Sequence, residues 1–369
     1  MYTENEIVRI AKRENNNKRK YLVVNRLQGK HIPVKAEQAF NMFDELAEQL
    51  IKEYKDEKVL MVGFAETATA IGARLAVKLE CAYMQTTREP IPDVEYLYFT
   101  ESHSHATEQK LIKTDLDQII GTIDRIIFAE DEVTTGNTIM KIIEIIKNTY
   151  EEKVKFSVAC LLNGMDENAQ KIYEQNEISM HYLVKTDHSK YTQIAEAYKG
   201  DGVYNTQLAV ANEIEVKNCD TNQYLNARRL VDGKEYQQAC ENLWQQISSN
   251  YQFESGAKVL VVGTEEFMYP AIYVAYKIQE LGCEAKTHST TRSPITVSSE
   301  ELYPVHQRYE LRSLYDEERK TFIYDIEKYD KVFIITDSIT PTQGGVMDLC
   351  NAIASNGNTD ITLIRWCEK

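Results

Sequence analysis

The sequence predicts an α/β protein built from two tandem parallel-sheet domains, the second a degenerate copy of the first. Three observations predict it. Short apolar runs that read as buried strands alternate with segments of helical periodicity, the pattern of a right-handed parallel sheet. Three blocks recur in one order with slowly drifting offsets. Lys58–Gly63 and Lys258–Gly263 are 200 residues apart, Thr86–Ile91 and Thr290–Ile295 are 204 apart, and Asp124–Asp131 and Asp330–Asp337 are 206 apart. Finally, 369 residues is a length for two domains.

In chain order, Met1–Asn17 is polar and reads as a frayed or surface-bound start. Tyr21–Val24 is a strand candidate, and Ala36–Tyr54 carries Phe40, Phe43, Leu46, Ala47, Leu50 and Ile51 on one helical face. Lys58–Val62 reads as a strand, then a small-residue loop leads into a helix ending near Leu79. Tyr83–Arg88 holds a further strand. Ile91–Gln109 is long, polar and irregular, which suggests a functional loop. Arg125–Ala129 is a central strand, and Ile139, Met140, Ile142, Ile143 and Ile146 follow at helical spacing. Val154–Leu162, Glu167–Gln175 and Ser179–Val184 continue as strand, helix and strand. The pattern weakens from Lys190 to Asp220. The domains are therefore expected at 1–215 and 216–369.

Net charge is −15, a poor balance for a nucleic-acid binder. An anionic substrate would have to be held by local donors and a metal ion rather than by the overall field. No apolar run reaches membrane-spanning length. The seven cysteines are scattered without a CxxC pair, which argues for a reducing cytoplasm and against a disulfide framework or a cysteine-based zinc site.

The chemistry concentrates in Glu130-Asp131-Glu132-Val133-Thr134-Thr135-Gly136-Asn137-Thr138. A strand ends in two acids, a loop of small residues follows, and a helix begins. Gly136 lets the backbone approach an anion, and the free N–H groups and dipole of the helix start hold it. The hydroxyls of Thr134, Thr135 and Thr138 add donors. No lysine follows the glycine, so this is not a nucleotide P-loop. The two carboxylates can accept from neighbouring hydroxyls, as on a ribose. The unit suits a sugar phosphate; an ordinary capped strand-to-helix turn is the plainer alternative.

These nine residues resemble the PRPP-binding motif of the type I phosphoribosyltransferases. Glu132 departs from the pattern, standing where an apolar residue is usual. The resemblance implies 5-phosphate binding by Thr134, Thr135, Gly136, Asn137 and Thr138, and ribose binding by Glu130 and Asp131. Phe64–Thr69 is similar to that family's pyrophosphate loop, which implies contacts from Glu66, Thr67, Ala68 and Thr69; helix capping by Thr67 or Thr69 is the alternative. Arg88 stands where the family grips pyrophosphate, and a surface salt bridge is the alternative. Glu101–His105 lies where the family has its mobile catalytic loop. His103 and His105 are thus expected to be catalytic; a metal-binding pair and plain exposed residues are alternatives. The base-side wall is expected from Tyr21–Pro33 and Leu162–Asp166.

Gly29–Pro33, the Phe64–Thr69 stretch, the Thr86-Thr87-Arg88 turn, the His103–His105 loop and the central motif together resemble a narrower group. It is the phosphoribosyltransferase-like family of bacterial tellurite-resistance and stress-response gene clusters. That family is often followed by a C-terminal domain named for a Thr-Arg-Ser-Pro signature, here Thr291–Pro294. The resemblance covers nearly the whole chain. It implies Mg²⁺-dependent transfer of 5-phosphoribosyl from PRPP to a nucleobase-like nitrogen acceptor, in making or salvaging a nucleoside-like metabolite. Mg²⁺ would meet Glu130 and Asp131 indirectly, through ribose or water. PRPP and a nucleobase-like molecule are the partners expected, with a homodimer as an allowed assembly. A non-catalytic PRPP or nucleotide sensor is the rival reading. In the second copy, Thr336–Gly344 has lost the first acid and gained Pro341, so the same phosphate site is not expected there. Arg292 either serves a second anion site or reaches the first across an interface.

Overall fold

The computed structural model of the chain describes residues 2–14, 19–100, 108–151, 153–206 and 215–368. His103 and His105, with the rest of 101–107, lie outside the described residues. By compactness the chain forms two interleaved units, Met1–Glu4 with Asn41–His188 and Leu225–Gln238, and Asn5–Phe40 with Ser189–Tyr224 and Ala239–Lys369. Among the described residues, no helix is long and apolar enough to cross a membrane.

Each unit is built on a six-stranded sheet. In the first the order is Ser179–Lys185, Lys155–Asn163, Arg125–Val133, Val59–Gly63 and Ala82–Gln85, all parallel, with Val231–Asp232 antiparallel at the edge. In the second it is Val216–Asp220, Ile361–Arg365, Lys331–Thr336, Lys258–Gly263 and Glu284–Ser289, again parallel, with Val34–Lys35 antiparallel at the edge. The central strands are continuous apolar runs because helices cover both faces of a parallel sheet. A single cut near residue 215 would part Val34–Lys35 and Val231–Asp232 from their sheets and Val203–Asn205 from its parallel partner Gln307–Arg312, and the second unit also takes in Asn5–Phe40 and Ser189–Tyr224.

The repeat is visible hydrogen bond by hydrogen bond. Asp124 Oδ2 accepts from Lys58 N (2.7 Å), as Asp330 Oδ2 accepts from Lys258 N (2.8 Å). Thr86 N donates to Gly63 O (2.9 Å), as Thr290 N donates to Gly263 O (3.1 Å). Thr87 exchanges both backbone bonds with Lys110, as Thr291 does with Phe322. Similar sequence blocks therefore place similar turns at the same strand ends.

Two expectations need correction. Met1–Asn17 does not fray throughout: Val8–Lys12 pairs antiparallel with Tyr21–Asn25, because Val8, Ile10 and Ala11 have an apolar face to bury. Ile91–Gln109 is not irregular throughout: Tyr96–Thr100 pairs with Glu108–Ile112 in a hairpin. Its period-two pattern buries Leu97 and Phe99, and polar neighbours hid this in the sequence.

His288 is fully buried in the second unit, with Nε2 2.8 Å from Tyr324 O. Burial depresses its pKa to about 4. The unfolded chain binds this proton below the ordinary value near 6.5, whereas the native state refuses it until about pH 4. The resulting stability is complete above about pH 6.5 and is lost as pH falls towards 4, a change on the order of 3 kcal/mol. Urea denaturation at pH 7 and pH 4 should show His288→Gln losing less stability between them than the wild type. Equal losses would refute this.

Candidate functional site

The central motif closes the Arg125–Val133 strand and opens the Asn137–Thr149 helix. The helix forms because Ile139, Ile142, Ile143 and Ile146 bury one face. Gly136 caps it at φ 70°, the left-handed conformation in which glycine carries no steric cost. Tyr173 Oη donates to Gly136 O at 2.8 Å, so a fully buried phenol from the Glu167–Gln175 helix fixes the loop. A Cβ on Gly136 would lie 2.3 Å from that oxygen and 2.4 Å from Met165 Cε.

Glu130, Asp131 and Glu132 are all half-buried. Their charges reach Cys160, whose thiol pKa is pushed up first by burial and then by these three carboxylates. Tyr173 is raised likewise by burial, then by Cys160 and Glu130. Thr135 and Asn137 are exposed, and Thr134 and Thr138 half-exposed, at the mouth of the loop. Asn137 N donates weakly to Thr135 Oγ1 (3.4 Å).

The second loop, Phe64–Thr69, leaves the neighbouring strand Val59–Gly63 at the same sheet edge. Glu66 and Thr69 are buried and Thr67 half-buried. The Ala65–Glu66 peptide is cis. The loop is braced from behind. Ala65 N donates to Thr86 Oγ1 (2.8 Å), Thr86 Oγ1 donates to Gln109 Oε1 (2.7 Å), and Gln109 Nε2 donates to Ala65 O. Ala68 is the N-cap residue of the Thr69–Leu79 helix, and Thr69 Oγ1 donates to Glu66 O at 3.3 Å. Arg88 follows the third strand, Ala82–Gln85, and is half-buried.

The sheet therefore brings Glu130–Thr138, Glu66–Thr69 and Arg88 to the carboxyl ends of three adjacent strands, the place where open α/β sheets bind ligands. Of the expected base-side wall, Leu162–Asp166 belongs to this unit and Tyr21–Pro33 to the other. Among the described residues no cluster of three His, Cys, Asp or Glu side chains is arranged to hold a metal.

Three residues escaped the sequence reading. Tyr173 and Gln109 brace the two loops from outside the motifs. His188 Nε2 lies 3.4 Å from Glu132 Oε1 and 2.8 Å from Thr186 Oγ1. Its ring sits over Gly164, where a Cβ would meet it at 2.3 Å. Glu132, the departure from the motif, was the one signal available for this pair.

A family model described as phosphoribosyl transferase matches residues 7–190. A second, described as the TRSP domain C-terminal to it, matches residues 229–350. No curated protein matches the chain. Among solved structures, adenine phosphoribosyltransferase from Rhodothermus marinus is 14% identical at a TM-score of 0.38, covering 49% of this chain and 96% of that one. The Trypanosoma brucei enzyme, solved with AMP, pyrophosphate and ribose-5-phosphate, is 12% identical at 0.33, covering 49% and 76%. Orotate phosphoribosyltransferase from Aeropyrum pernix is 17% identical at 0.30, covering 48% and 84%.

Proposed function

We propose, from the premise that the chain belongs to the phosphoribosyl transferase family with a C-terminal TRSP domain, that it moves 5-phosphoribosyl from PRPP to a nucleobase-like nitrogen. The observation that carries this is the acid pair and glycine-capped helix start at one sheet edge with the braced Phe64–Thr69 loop. Residues 1–215 would carry the reaction and 216–369 the degenerate copy. We place the protein in the cytoplasm, in keeping with seven free cysteines.

In this reading Thr134, Thr135, Gly136, Asn137 and Thr138 hold the 5-phosphate. Glu130 and Asp131 accept from the ribose hydroxyls. The bond from the anomeric carbon to pyrophosphate oxygen breaks as the bond to the acceptor nitrogen forms, and pyrophosphate leaves with the electron pair. Glu66, Thr67, Ala68, Thr69 and Arg88 hold the departing pyrophosphate, where charge develops. His103 and His105 take the acceptor's proton or donate to pyrophosphate. Holding the reactants in line supplies much of the remaining acceleration.

Mg²⁺ fits the donor set: two adjacent half-buried carboxylates offer hard oxygen, without a third protein ligand among the described residues. Glu130 and Asp131 would hold it through ribose or water. When bound it neutralises charge on the pyrophosphate.

PRPP with Mg²⁺ should raise the melting temperature, a stabilisation of about 2.7 kcal/mol at a hundredfold excess over Kd. Asp131→Asn should remove most of this shift, and Glu130→Gln should weaken it. No shift at millimolar PRPP would sink the assignment. Pyrophosphate release with a panel of nucleobases then separates transferase from sensor: PRPP binding without release from any base favours the sensor.

A further inference from the structure

The repeat places a second strand-end site in the second unit, and its own side chains fill it. The loop after Gly263 corresponds to the loop after Gly63: Glu265 N donates to Thr290 Oγ1 (3.0 Å) as Ala65 N donates to Thr86 Oγ1 (2.8 Å). Arg292 corresponds to Arg88 at the same offset as the Thr-Thr-Arg turn, and Asp337 to Asp131. The hairpin of Gln307–Arg312 and Lys320–Tyr324 corresponds to that of Tyr96–Thr100 and Glu108–Ile112. The tip of this second hairpin is therefore the counterpart of the loop expected to close over substrate.

That tip is closed in the second unit. The Glu265 side chain is only 1% exposed. Its carboxylate accepts from Arg292 Nε (2.5 Å), Arg319 Nη1 (3.0 Å) and Ser313 Oγ. Ser313 and Arg319 stand at the two ends of the hairpin tip. Between them, Tyr315 Oη donates to Asp337 Oδ1 (2.7 Å) and lies 2.7 Å from Thr264 Oγ1. Tyr224 Oη donates to the other Asp337 oxygen at 2.9 Å. Thr342 Oγ1 donates to Ser313 O (2.5 Å) and Ser338 Oγ to Leu314 O (3.3 Å), which tie the tip to the loop after Lys331–Thr336.

Two guanidinium groups on one buried anion are the chemistry of an arginine clamp on phosphate. Here the anion is a carboxylate of the chain. Glu265 has φ 52°, a backbone conformation unusual outside glycine; its N–H donates to Thr290 Oγ1 (3.0 Å) and its carbonyl accepts from the buried Lys30 Nζ (2.7 Å). A buried carboxylate without the Arg292, Arg319 and Ser313 donors would be strongly disfavoured. The donors and the acid thus depend on one another.

We propose that Glu265 is a built-in anion. It takes the position between Arg292 and Arg319 that a phosphate-bearing ligand would need, and the closed hairpin tip seals it. The second unit consequently binds no phosphate ligand, and removing Glu265 opens a phosphate site there. This rests on the repeat and the contacts around Glu265, and does not depend on the activity proposed for the first unit.

The test is calorimetric titration of inorganic pyrophosphate into the full chain. Wild type should take at most one equivalent, lost in Arg88→Ala. Glu265→Ala should gain one more equivalent, and the Glu265→Ala, Arg292→Ala double variant should lose it again. Glu265→Gln, which keeps the side chain's size and drops its charge, should also gain it and serves if the alanine variant does not fold. A wild-type equivalent that Arg292→Ala removes would overturn the proposal, whatever becomes of the other variants. So would a folded Glu265 variant, with native circular dichroism and a cooperative melt, that gains nothing. Should wild type take none, the first-site reading fails while the Glu265 variants still decide this one.

Discussion

Alanine in place of Gly136 is expected to weaken PRPP binding roughly 100-fold, the loss of two charge-assisted hydrogen bonds at about 1.5 kcal/mol each. Two independent costs fall on this residue. At φ 70° an alanine is disfavoured by about 1–2 kcal/mol, since its Cβ crowds the carbonyl. The added carbon would also sit 2.3 Å from Tyr173 Oη and 2.4 Å from Met165 Cε, both buried. Tyr173 cannot simply swing away, because its hydroxyl donates to Gly136 O and its ring is enclosed. The loop must move instead, and with it the N–H groups that begin the Asn137–Thr149 helix. A PRPP titration followed by melting temperature measures the effect. A shift equal to wild type in Gly136→Ala would show that the phosphate does not sit on this loop.

Arg125→Ala is expected to destabilise the first unit by about 3 kcal/mol, as when one partner of a largely buried ion pair is removed. Arg125 Nε and Nη2 donate to the two Glu57 oxygens at 2.6 and 3.1 Å, and Nη1 donates to Ser157 Oγ at 2.7 Å. The guanidinium also lies 4.2 Å from the centre of the Tyr54 ring. These contacts tie the start of the central strand to the end of the Ala36–Tyr54 helix, the turn after it and the next strand. The hydrogen bond from Arg125 holds the Glu57 pKa below the ordinary carboxylate value, against burial and helped by Lys155. That part of the stability is present above the ordinary value and lost as pH falls through the lower folded value. The gap between wild type and Arg125→Ala in urea denaturation should thus be largest near pH 7 and narrow in acid. A gap that is small at pH 7, or indifferent to pH, would refute the account.

The parallel-sheet fold and its duplication were legible because both depend on local patterns. An apolar run, a polar turn and a helical stripe each declare themselves within about ten residues. The hairpin of Tyr96–Thr100 and Glu108–Ile112 was missed because its alternating pattern is broken by polar residues and its pairing crosses a long tip. The braces of the site were missed for a different reason. Nothing near Tyr173 or Gln109 in sequence marks them as supports for Gly136 and Ala65, since those partners lie 37 and 44 residues away.

By itself the sequence determined where the Glu130–Thr138 turn lies and that the second copy has lost the motif, while the strand pairing brought Phe64–Thr69 and Arg88 to the same sheet edge. Tertiary structure alone decided that two-residue edge strands, Val34–Lys35 and Val231–Asp232, join sheets made mainly by the other half of the chain. It also decided that the second copy is sealed by Glu265, Arg292 and Arg319. The physical reason is separation: strand and helix periodicity are written into consecutive residues. A two-residue edge pairing or a buried ion cluster gathers groups tens to hundreds of residues apart, and their partnership exists only once the chain has folded.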